Sequence, residues 1–133
     1  FDDTDWVIVP GEDLVIDWTP SGWGNRVVFD LNVDQHGTSP VSMICDTEDD
    51  GQLVIESSLL DTLLMYGVSG FATATARRQV ADSVDLKNGC VEMLTYNHVD
   101  GDLTVDGHTA CYSDRDCPEG QRCEVVINTC VDD

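Results

Sequence analysis

Basic residues are scarce in this chain. Its 133 residues include 6 Lys and Arg against 26 Asp and Glu, a formal net charge of −20. Such a surface repels polyanions, which excludes recognition of nucleic acid through its phosphates and docking on an anionic membrane. No run approaches the roughly 20 apolar residues that a membrane-crossing helix needs. No basic segment followed by an apolar stretch opens the chain, and the first residue is Phe1 rather than methionine. The expectation is a mature secreted chain, or a domain excised from a longer one.

Several chemical signatures are missing too. There is no C-x2-C pair, so neither a zinc ribbon nor a thioredoxin-like redox centre is expected. There is no G-x-S-x-G, and the three histidines, His36, His98 and His108, each fall in or near an expected turn. Paired-carboxylate chemistry carries no signal, because among 26 acids some pair will always mimic a glycosidase pair. No enzyme is expected. No internal repeat is found.

What the chain does contain is a 41% hydrophobic composition, enough for a globular core despite the charge. Its apolar residues alternate. Leu14, Ile16 and Trp18 face one way and Asp17 and Thr19 the other; Val27, Phe29, Leu31 and Val33 oppose Asp30, Asn32 and Asp34. This period of two marks strands with one buried face. "SMICDTEDDGQLVIESS" predicts a strand, a turn at Asp50-Gly51 and another strand. "SSLLDTLLMYG" breaks the rhythm: Leu59, Leu60, Leu63 and Leu64 recur at helical spacing, with Ser57 or Ser58 to cap and Gly67 to end one short helix. "GFATATARRQVADSV" alternates again, and "CVEMLTYNHVDGDLTVDG" predicts two strands around Asp100-Gly101. Seven or eight short strands predict an all-β fold, an immunoglobulin-like antiparallel β-sandwich, over residues 1–108. Residues 109–133 turn polar and cysteine-rich.

Six cysteines in an acidic, strand-rich chain predict disulfides. Cys111, Cys117, Cys123 and Cys130 follow C-x5-C-x5-C-x6-C. Three pairings are open to them, and spacing does not choose. The crossed pair, Cys111–Cys123 and Cys117–Cys130, is the working expectation because interlocked loops best pin a segment without a core. Cys45 and Cys90 then remain, in different expected strands. A bridge between them would close a loop of about 45 residues and add on the order of 4 kcal/mol.

"CYSDRDCPEGQRCEVVINTC" resembles the short repeats C-x2-D-x-D-C-P-x-G-x2-C-x(n)-C of secreted proteins from myxobacteria and related predatory or marine bacteria. The matching residues are Cys111, Asp114, Asp116, Cys117, Pro118, Gly120, Cys123 and Cys130. The Trp18-Thr19-Pro20 strand and the segments after it are similar to β-sandwich domains of such proteins. The resemblance implies a secreted or surface protein. The same stretch is similar to half of a whey acidic protein domain but lacks that family's double cysteine, which counts against protease inhibition.

Two acidic turns are candidate calcium sites, calcium being the one cofactor considered and none being required. Asp46, Glu48 and Asp50 alternate before Gly51 like the opening of an EF-hand loop, but position 12 is Ser57 and strands flank it. Asp100, Asp102 and Asp106 surround the second turn. The ordinary state of such turns is solvated acid. Exposed aromatics are candidate carbohydrate platforms: Trp23, in "SGWGN", and Tyr96 lead, with Trp6 behind them and Trp18 assigned to the core. "DWVIVP" offers Trp6, Val7, Ile8 and Val9 either as the first strand or as a strand donated to a neighbouring subunit. Donation in one direction generates an open filament. The expected function is therefore a secreted or cell-surface structural or adhesive protein, self-associating or bound to other extracellular components. The alternative is a carbohydrate- or ligand-binding module stabilised by calcium.

Overall fold

A computed structural model describes residues 1, 4–22, 24–34 and 41–133. Among the described residues nine strands, one helix and one 3₁₀ turn succeed one another. They are β1 (Asp5–Ile8), β2 (Leu14–Asp17), β3 (Arg26–Asp34), β4 (Val41–Glu48), β5 (Gln52–Ile55), α1 (Ser57–Met65), β6 (Thr73–Leu86), β7 (Gly89–Val105), the 3₁₀ turn Asp114–Asp116, β8 (Gln121–Glu124) and β9 (Thr129–Asp132). The fold is mostly β, with one short helix and a C-terminal disulfide-bonded segment.

The main sheet runs β1-β7-β6-β3-β4. It is mixed rather than purely antiparallel, because β1 lies parallel to β7, Asp5 beside Asp102 through Ile8 beside Val105. A second layer consists of the β2–β5 pair and α1. Between the layers sit the residues that alternation assigned inward. Val27, Phe29, Leu31 and Val33 are fully buried, and Leu14, Ile16 and Trp18 nearly so. Phe29 is the hub, with the rings of Phe1, Trp6 and Trp18 each within 5.7 Å of it. Leu60 and Leu63 close the core from α1, while Leu59 is exposed. The helix is capped differently from the expectation. Glu56 is the N-cap and makes no side-chain cap, and Asp13, from before β2, accepts from the Ser57 N–H at 2.7 Å.

Asp100-Gly101 is not a turn. β7 runs through it without a break for 17 residues. A Cβ on Gly101 would lie 2.5 Å from the Thr4 carbonyl oxygen and 2.6 Å from the Trp6 ring. The glycine serves the close approach of β1, not chain reversal. The reversal comes later, at Gly107 with φ 81. The β6–β7 hairpin instead turns at Lys87-Asn88, between the paired Leu86 and Gly89.

The C-terminal segment holds two crossed disulfides, Cys111–Cys123 and Cys117–Cys130. It is fastened to the body by the Gly70 N–H donating to Thr129 Oγ1 at 3.2 Å and by Phe71 stacked on Tyr112 at 4.6 Å.

Candidate interaction surface

β6 and β7 outrun every neighbour. β3 pairs with β6 only as far as Gln79, and β1 pairs with β7 only over Asp102–Val105. From Val80–Thr95 to Leu86–Gly89 the two strands continue as a two-stranded ribbon. Directly paired residues share a face, so the core-side face continues outward from the buried Ala74 and Ala76. On the ribbon it carries Val80, Val84 and Leu86 from β6 and Val91 and Met93 from β7. These five are 42–64% exposed. Asp82 is the one charge among them.

The covering layer stops where the ribbon begins, at Arg78. Its Nη2 donates to the Thr19 carbonyl at 2.7 Å, its Nε lies 3.0 Å from Asp49 Oδ2, and its guanidinium sits over the Phe1 ring. Asp49 is buried. It also accepts from Trp18 Nε1 at 2.7 Å and from the N–H and hydroxyl of Ser21 at 3.0 and 2.8 Å. Burial alone would raise its pKa. The Ser21 and Trp18 hydrogen bonds and the Arg78 charge outweigh that and hold it down at about 2. This network seals the end of the core. Beyond it nothing among the described residues covers the apolar stripe.

The ribbon is less acidic than the body. Residues 80–95 hold Lys87 against Asp82, Asp85 and Glu92, a net of −2, and Arg77 and Arg78 at its base bring residues 77–98 to zero.

The residues singled out in the sequence are scattered. Cys45 lies half-buried in β4 and Cys90 exposed near the ribbon tip, beside Asp85; both are free thiols. The expected Cys45–Cys90 bridge is thus corrected. β7 starts at the ribbon's far end, which carries Cys90 out of reach of β4. Burial raises the pKa of Cys45. Cys111, Cys117, Cys123 and Cys130 are all oxidised. Three of their sulfurs lie within 4.8 Å of one another, but disulfide sulfurs are not the thiolates a metal needs. Asp114 and Asp116 serve the segment's own backbone. Asp114 accepts from the Cys123 N–H, and Asp116 from those of Tyr112 and Ser113, each at 2.9 Å. The two Asp116 bonds hold its carboxyl below the usual range.

The calcium candidates do not converge. Asp46 is paired with Arg26 at 2.6 Å, Asp50 accepts from the Gln52 N–H, and Asp100 accepts from the Thr75 hydroxyl. Glu48 and Asp50 line a cleft of about 690 Å³ beside Asp49, while Asp102 faces Asp5 and Thr73 in the sheet. Among the described residues no three carboxylates gather at ligand distance. Tyr96 stands on the ribbon's outer face, with the Arg77 guanidinium 5.6 Å from its ring centre. Trp23 and His36 lie outside the described residues. Trp6 and Ile8 are buried and belong to the chain's own sheet, Val7 is exposed, and Val9 follows the strand half-buried. Of the two expectations for this segment the structure has the first, a strand of the chain's own sheet, paired with β7.

The exposed stripe was missed as a site. Its signal was present, since V-x-x-x-V-x-L, a K-N-G turn and V-x-M form an alternating hairpin. What the sequence does not display is that no third strand follows it. No protein-family model, curated protein or solved structure matches the chain.

Proposed function

We propose that this chain is an extracellular structural or adhesive module that associates with further copies of itself through exposed β surface, without catalysis. The observation that carries the reading is the β6–β7 ribbon, which leaves the body with an apolar face and with two strand edges that no strand among the described residues pairs. An isolated two-stranded ribbon is marginal in water, and exposed apolar stripes mark interaction sites. The bare edges add main-chain donors and acceptors that a further strand would satisfy. The two disulfides are of the kind that persists in oxidising surroundings, which supports an extracellular setting. No described helix is long and apolar enough to cross a membrane.

The test is the native mass of the full chain by analytical ultracentrifugation across a range of concentrations and salt. Association is expected, and it strengthens with salt as the −20 charge is screened. A variant with Gln79 joined to Tyr96 through an Asn-Gly turn stays monomeric. A wild-type chain that is monomeric at every concentration and salt level overturns the reading.

A further inference from the structure

We infer that the copy-to-copy contact is two-fold: the core-side face of one ribbon packs on the same face of a second copy, forming a closed, non-covalent dimer. This rests on the self-association proposed above and specifies its geometry.

The first argument is charge. A second copy brings its own −20, and nearly every surface it presents is acidic. The ribbon face is the place where two such chains meet without setting acid against acid. Place the two-fold axis at the Val84–Val91 pair. Position 82 then lies over 86 of the partner and 81 is level with its turn, so Asp82 of each copy comes beside the turn that holds the partner's Lys87. The single acid of the stripe meets the one cation at its tip, twice. The arrangement is complementary to itself, as a two-fold contact requires.

The second argument is length. At about 3.3 Å per residue, Gln79, where β3 stops, lies about 17 Å from that axis. The two bodies are then held about 33 Å apart along the ribbons, some four Debye lengths at physiological salt. Their mutual repulsion is screened. The partner's tip reaches position 81 and stops short of Arg78, where the covering layer ends. Each ribbon takes up, for the other, the place that β2–β5 and α1 fill over the body.

Area sets the strength. A seven-residue ribbon about 23 Å long and 10 Å wide presents a face of about 230 Å² per copy, well below the roughly 800 Å² per partner of a standard interface. The contact is therefore weak, with a dissociation constant of about 100 μM or above.

Sedimentation equilibrium of this chain and six variants tests this. The wild type stops at two copies. Val84→Asp weakens the dimer more than about tenfold, while Ala81→Asp on the outer face leaves it within about twofold. Asp82→Lys and Lys87→Asp each weaken it about tenfold, and the double exchange restores it, because both pairs are then rebuilt with signs reversed. This double variant keeps the test decisive should Val84→Asp disturb the ribbon itself. Cys90→Ser changes nothing, since Cys90 lies on the outer face. Growth beyond two copies that Val84→Asp still abolishes overturns the two-fold geometry and leaves the self-association standing. A dimer broken by Ala81→Asp but not by Val84→Asp, or lost on Cys90→Ser, also overturns it. A monomeric wild type overturns both readings.

Discussion

Asp49→Asn removes one charge and keeps the side chain's shape, and its cost can be worked from the network around it. The gap between an ordinary carboxyl at 3.8 and about 2 for Asp49 corresponds to about 2.4 kcal/mol of preference for the ionised form. Ser21 and Gly22, at the site's rim, are exposed, and screening there leaves about 1–2 kcal/mol. The amide's single oxygen can still take the Trp18 Nε1–H. Its NH₂ then faces the Ser21 N–H, and a buried donor without a partner adds about 1–2 kcal/mol. The variant is expected to lose about 2–4 kcal/mol at pH 7. The sign with pH follows from the depressed pKa. The ionic contribution is fully present above pH 3.8, the ordinary value, and is lost as pH falls through about 2. The gap between wild type and Asp49→Asn therefore shrinks to about 1–2 kcal/mol by pH 2, while the other acids, shared by both proteins, cancel. Urea titrations at pH 7, 4 and 2, read by tryptophan fluorescence, measure it. A gap that is the same at pH 7 and pH 2 would refute the claim that ionised Asp49 seals the core.

Two further outcomes follow from the geometry. Gly101→Ala sets a methyl against the Thr4 carbonyl and the Trp6 ring; β1 must shift, at about 2–3 kcal/mol, with a lower melting temperature and red-shifted Trp6 emission. An unchanged melt would refute the close approach. Native thiol titration should find two reactive groups, Cys90 at once and Cys45 slowly, because burial raises the Cys45 pKa. Finding none would return Cys45 and Cys90 to a disulfide.

Most of the fold was legible because its core strands obey the period of two. Val27 through Val33 and Leu14 through Trp18 alternate, and burial follows the pattern except at Val28, which is buried on the other face. The helix showed itself through Leu60 and Leu63. Asp100-Gly101 misled because glycine answers two demands, chain reversal and close backbone approach, and only the position of β1 tells them apart. Cys90 misled for a related reason: strand membership was legible but strand length was not, and length decides which end of the molecule a residue reaches. The site was hidden more deeply. Val80, Val84, Leu86, Val91 and Met93 alternate just as core residues do. Exposure depends on whether another layer arrives to cover them, which is a property of the whole topology and not of the hairpin.

β7 carries a mechanical consequence. One uninterrupted backbone runs from the ribbon tip at Gly89, past β1, to Val105 and on to the cross-linked terminal segment. A pull on the tip along the ribbon axis is borne by covalent bonds in series. The β6–β3 and β7–β1 hydrogen bonds, which tie the hairpin to the body, are then strained together in shear instead of opening one after another. A module tethered at this end resists tension with the full length of its longest strand.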